Sequence, residues 1–180
     1  PANGRFHERI AQYMVQSGDL DAAHRTLVRA MAIDLDYRGT LVSLIRLETK
    51  MGRLESALRR ANIFIKQHPK TAIGHTLKGD VLSQMNQHSA AAAAYAAGLK
   101  LNKSGTLLMR RYLALRKSGV ANLPIKSLTD WTKQNPKAFD VRKFLAEAYI
   151  DAKQSDKAKK QYESLRESLP KDPDVLNSLA

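Results

Sequence analysis

FDVRKFLAEAYIDAKQSDKAKKQYESLRESLP, residues 139–170, is the stretch that decides the fold. Leu145, Ala146 and Tyr149 share one side of a first amphipathic block, Ala158, Tyr162 and Leu165 share one side of a second, and Pro170 closes it. Apolar residues at i, i+3, i+4 and i+7 over two blocks of about a dozen residues predict a pair of helices. The pattern recurs along the chain. Ala23, Ala57 and Ala91 stand 34 residues apart, and Ala158 follows 67 residues later, one short of two periods. On this register the units start at Gly4, Arg38, Ala72, Gly105, Phe139 and Pro173.

The other units carry the pattern with different completeness. The second has Leu41, Leu44, Gly52, Ala57, Phe64 and Pro69, and the third has Gly79, Leu82, Ala91, Tyr95 and Gly98. The first has Ile10, Ala11, Met14, Gly18, Ala23 and Ala30. The fourth departs furthest, with Tyr112 where a small residue is expected and Pro124 where the packing alanine belongs, so its helix pair is predicted to be shifted or bent. Small residues let two helices approach closely. Gly18, Gly52 and Gly119 are placed to end the first helix of a pair in a left-handed conformation. Pro69, Pro136 and Pro170 stop the second. Asp19, Ser89 and Ser155 are predicted N-caps.

These residues resemble the tetratricopeptide repeat, whose 34-residue unit is a helix-turn-helix. The resemblance implies an all-α fold, a right-handed α-solenoid of stacked helix pairs. It covers residues 1–180 as a single solenoid of about five repeats plus part of a sixth from Pro173. That last unit begins with Leu176, Leu179 and Ala180 and has no second helix, so the chain is expected to be a piece of a longer array. The resemblance also implies a binding function and not an enzyme.

Composition agrees. No apolar run is long enough to span a membrane as a helix, and the chain has no cysteine, which removes disulfides and thiol chemistry. Among His7, His24, His68, His75 and His88 no i, i+4 pair has an acidic partner, so no metal site is expected. No phosphate loop, nucleophile elbow or catalytic carboxylate pair is present. No catalytic or cofactor-binding residue and no cofactor are assigned.

Charge is the second informative feature. The formal net charge is +13. Residues 38–71 hold eight Lys and Arg against two acidic residues, and residues 105–138 hold seven against one, whereas residues 139–180 balance eight with eight. In the family the first helix of each pair lines the concave groove. Mapped onto this sequence, those positions give a partner-binding groove of Arg46, Lys50, Met109, Arg110, Arg116, Lys117, Lys143 and Phe144, extended by Arg5 and Arg9. Glu8, Asp80, Asp140, Glu147 and Asp151 are opposing charges on the same face. A concave basic surface concentrates anionic partners. The same residues also read as ordinary solvated helix faces.

Nucleic acid fits poorly, because Tyr95, Tyr149, Tyr162, Phe64 and Trp131 all fall at packing positions, leaving Phe144 as the main groove aromatic for stacking. An acidic protein or peptide, or an anionic polysaccharide, remains. The two-carboxylate clamp of chaperone-binding members needs Lys and Asn at two positions of one helix. The pairs here are Glu8 and Gln12, Val42 and Arg46, Thr76 and Asp80, Met109 and Leu113, and Lys143 and Glu147, and none fits.

Several strings are similar to a narrower family: residues 51–60, residues 66–70, residues 78–82, residues 105–108, Phe144-Leu-Ala-Glu-Ala-Tyr149 and residues 174–180. They resemble the C-terminal part of the large tetratricopeptide lipoprotein of the PEP-CTERM/exosortase system of Gram-negative bacteria that make exopolysaccharide. That resemblance implies a periplasmic protein, membrane-anchored through a lipidated N-terminus outside this stretch. A cytoplasmic adaptor and a polysaccharide-binding accessory protein are the alternative expectations.

Overall fold

The computed structural model describes residues 2–33, 38–120 and 123–169. Among them it holds ten helices and no strand: α1 (Ala2–Gln16), α2 (Leu20–Ile33), α3 (Arg38–Lys50), α4 (Leu54–Gln67), α5 (Ala72–Gln84), α6 (His88–Leu101), α7 (Gly105–Lys117), α8 (Ile125–Gln134), α9 (Phe139–Asp151) and α10 (Ser155–Ser168). Pro170 and the expected sixth unit from Pro173 lie outside the described residues, as does the side chain of Arg5. The chain divides into two compact units, Pro1–Asn102 with α1–α6 and Lys103–Ala180 with α7–α10.

One turn recurs within the helix pairs. After α3, Gly52 takes φ 73°, its N–H donates to the Thr49 carbonyl at 3.1 Å, and the Arg53 N–H reaches back to the Glu48 carbonyl at 2.9 Å. This pair of bonds satisfies the last orphan carbonyls of the helix and requires a left-handed residue. Gly18 and Gly119 hold the same place at φ 88° and 78°, as expected. In the other two pairs a non-glycine residue does so: Asn86 at φ 59° and Lys153 at φ 56°. The next helix starts two residues past the left-handed residue at Leu20, Leu54, His88 and Ser155.

That spacing corrects two expected caps. Ser89 is the second residue of α6 and Ser155 the first of α10, with Gln87 and Gln154 in the cap positions and no side-chain cap bond at either. Asp19 does cap: the Ala22 N–H donates to its Oδ1 at 2.9 Å. The shift expected in the fourth unit is also present. After Gly119, α8 begins only at Ile125 and runs ten residues. Pro124 disfavours helical backbone at Leu123, so the helix starts after it.

In the first unit α1, α3 and α5 pack side by side, while α2 packs on α3, and α4 on α5. The first helices thus form one face. Beneath it the small-residue positions are sealed: Ala11, Ala23, Ala57, Ala61 and Ala91 are at most 2% exposed. Leu41, Val42, Ile45 and Phe64 build one core with Leu77 and Val81, and Leu27, Leu44 and Leu47 another with Ala11 and Ala23. Each large side chain so buried contributes about 1.5–3 kcal/mol. Gly79 is in direct contact with Tyr95, since a Cβ there would lie 2.4 Å from the ring.

In the second unit Tyr112, Leu128, Val141, Leu145, Tyr149 and Ala158 form the core. Tyr112, at the expected small-residue position, is 1% exposed and meets Phe144 edge to face at 5.4 Å. Gly105 lets α7 settle against Val141 and Trp131.

Candidate partner-binding faces

In the first unit α1 and α3 enclose a cleft of about 350 Å³. Its apolar wall is the half-buried Val15, set over the core residues Ala11, Leu27 and Leu47, which are at most 4% exposed, and its rim is polar, made by Glu8, Gln12, Ser43, Arg46 and Lys50. Arg46 and Lys50 are four residues apart on α3 and therefore share a face. Both are exposed, and neither has a carboxylate within ion-pair distance among the described residues. Glu8 stands at the other end. Its Oε1 accepts from Thr40 Oγ1 at 3.2 Å and lies over the Cα of Gly39, where a Cβ would be 2.5 Å away. A carboxylate against the first turn of α3 is favoured by the helix dipole.

The other six groove residues sit on α7 and α9, which are neighbours in the second unit. Met109 and Phe144 are half-buried against the core, so Phe144 spends much of its ring on Tyr112 and is not the open stacking surface expected of it. Arg116 Nη1 pairs with Asp151 Oδ2 across the two helices. Its charge is therefore offset by one of the opposing carboxylates. Burial pushes the Tyr112 phenol above its ordinary range, Asp151 adds to that, and Arg116 opposes it. Arg110 and Lys143 are half-buried, and Lys117 is exposed.

Sequence reasoning passed over one polar cluster. Glu48 is 1% exposed, yet its Oε1 is 3.1 Å from His24 Nε2 and accepts from Ser56 Oγ at 3.0 Å and Arg60 Nε at 3.0 Å. The available signal was an acid within the apolar run Leu44, Ile45 and Leu47. The cluster ties α2, α3 and α4 together on the side of α3 turned away from the cleft. Among the described residues no group of three metal-ligating side chains occurs, and no helix is long and apolar enough to cross a membrane.

Helix pairs joined by a fixed left-handed turn and packed through small residues define an α-helical repeat protein. Two family models, each described as tetratricopeptide repeat, match residues 43–106 and 125–180, and the chain carries tetratricopeptide repeats. Solved structures agree on the fold. The thermophilic repeat protein TTC0263 of Thermus thermophilus has a TM-score of 0.70 at 20% identity, covering 98% of this chain and 96% of that one. MamA from Desulfovibrio magneticus RS-1 gives 0.71 at 15%, covering 93% and 95%. A tetratricopeptide repeat protein from Parabacteroides merdae ATCC 43184 gives 0.72 at 17%, covering 99% and 72%. At these identities the likeness is one of fold. No curated protein matches the chain. Tetratricopeptide domains are in general non-catalytic and bind protein partners, and no enzyme family is indicated.

Proposed function

We propose that this chain is a non-catalytic scaffold that binds partner segments on the first-helix face of each unit, through Arg46 and Lys50 in the first and through Met109, Arg110, Arg116, Lys117, Lys143 and Phe144 in the second. The observation that carries this reading is the α1/α3 cleft, where two cations without a carboxylate partner among the described residues stand beside an apolar wall. The combination suits a protein segment with apolar and acidic character: the wall removes hydrocarbon from water and the cations steer the encounter.

The setting we propose is a bacterial envelope assembly for exopolysaccharide export and protein sorting, with the chain in the periplasm behind a lipidated N-terminus. The strings similar to the PEP-CTERM lipoprotein family support it. A signal peptide ending in a lipidation cysteine in the full-length protein would agree with this setting, and its lack would move the scaffold to a cytoplasmic adaptor role.

The binding test is a pull-down from a periplasmic extract of the source bacterium at low and moderate salt. The wild-type chain is compared with R46S/K50S and with R110S/R116S/K117S. A protein retained at low salt by the wild type and lost by either variant supports the groove assignment. Equal retention by all three would remove these residues from the interface. Retention of polysaccharide alone would replace the protein partner by a polymer.

A further inference from the structure

The two ends of the α1/α3 cleft carry opposite charge, and this narrows the scaffold reading, on which it rests, to one kind of occupant. We infer that the cleft takes an extended peptide in which a basic group and a carboxylate, three to four residues apart, flank an apolar side chain.

The rim supplies the two charged ends. Glu8 is anchored at the first turn of α3 through Oε1, which Thr40 and the bare Cα of Gly39 hold in place. Its Oε2 has no hydrogen-bond partner among the described residues and can accept from a cation on the cleft side. Arg46 and Lys50 stand further along the same helix with no carboxylate of their own among the described residues. From Thr40 the rise of α3 places Arg46 about 9 Å and Lys50 about 15 Å away. An extended chain advances about 3.3 Å per residue, so three to four residues bridge the two ends.

The apolar wall supplies the middle. Val15, with the buried Ala11, Leu27 and Leu47 beneath it, offers no hydrogen-bonding side chain, so a polar group that turned to this wall would give up water on that side without replacement. An aliphatic side chain meets no such cost. Gln12 and Ser43 on the rim can bond the peptide backbone that flanks it.

Alternative occupants leave part of this arrangement unused. A lone phosphate or sulfate would find Arg46 and Lys50 but would be repelled by Glu8 and would ignore the apolar wall. A uniformly acidic strand would meet the same repulsion. The opposed charges also set direction, because the basic end of the ligand must lie over the start of α3 and the acidic end over its last turns.

The test begins with selection from a displayed library of random twelve-residue peptides on the intact 180-residue chain, followed by fluorescence anisotropy with the enriched peptides. The expected motif is a basic and an acidic residue three to four positions apart around an aliphatic one. R46S/K50S should weaken binding by about tenfold, and changing the peptide's acid to glutamine should cost the same in the wild type but little more in that variant. E8Q should make the peptide's basic residue dispensable. R46S/K50S removes only exposed side chains and leaves the fold intact, so it decides the question even if E8Q loosens the start of α3. Enriched peptides that lack the motif, or that bind R46S/K50S equally well, would overturn the cleft assignment and leave the scaffold reading standing. Enrichment of no peptide at all would overturn both.

Discussion

Arg60 clasps Glu48: its Nε lies 3.0 Å from Oε1 and 3.1 Å from Oε2 of a side chain that is 1% exposed. The carboxylate depends on this partner because it has almost no water. Removing one member of a buried pair costs about 3 kcal/mol, whereas replacing both by apolar groups costs much less. Urea unfolding of Arg60→Met should therefore show a loss of about 3 kcal/mol, and Arg60→Met with Glu48→Leu should recover most of it. A single variant within about 0.5 kcal/mol of the wild type would mean that His24 and Ser56 suffice to hold the charge.

Gly79 to alanine tests the contact between α5 and α6. Alanine favours a helix over glycine by about 1 kcal/mol, but the added methyl would lie 2.4 Å from Tyr95 Cε1 and 2.6 Å from Cδ1. Overpacking of this kind costs about 1–3 kcal/mol. We expect Gly79→Ala to lower the unfolding midpoint and Tyr95→Leu to relieve part of the loss when combined with it. A rise in stability for Gly79→Ala would show that the two helices move apart freely.

The five intra-pair turns offer an opposite pair of substitutions. Lys153 holds a left-handed conformation at φ 56°, which costs an ordinary residue about 1 kcal/mol. Lys153→Gly should stabilise the chain by up to about 1 kcal/mol, and Gly52→Ala should destabilise it by a similar amount. Thermal unfolding of the two variants against the wild type checks both signs at once.

His75 gives a pH signature. Burial first, and then the neighbouring Lys78, hold its imidazole below the ordinary value of 6.5. The fold prefers the neutral ring, so this contribution is complete above pH 6.5 and is lost as pH falls from there through the folded value. Between pH 7.5 and 5.5 the wild type should lose more Tm than His75→Gln. Parallel curves for the two proteins would show that the ring is indifferent to its surroundings.

What was legible in the sequence was local or periodic. The small residues at Ala23, Ala57 and Ala91 and the three glycine turns each depend on neighbours within one helix pair, and a 34-residue period repeats that information. Pro124 announced the late start of α8 for the same reason. The missed features depend on which helices meet. Glu48 looks like a misplaced acid until α2 brings His24 and α4 brings Arg60 and Ser56. Arg116 reads as a free groove cation until α9 sets Asp151 beside it. Asn86 and Lys153 adopt a glycine's conformation because the turn bonds demand it, and nothing in their side chains advertises that. Ser89 and Ser155 have the side chain of a good cap, but the left-handed residue two or three places earlier fixes where the helix begins.

The late start of α8 reaches beyond local geometry. Ten residues make less than three turns, and of α8 only Leu128 and Thr132 are buried. In a repeat protein each layer is held by its neighbours, so cooperativity passes through every helix in turn. A layer this thin transmits least. The amides of α8 are therefore the natural place for the second unit to open to solvent before it unfolds as a whole, which makes a proline-delayed helix the fuse of this array.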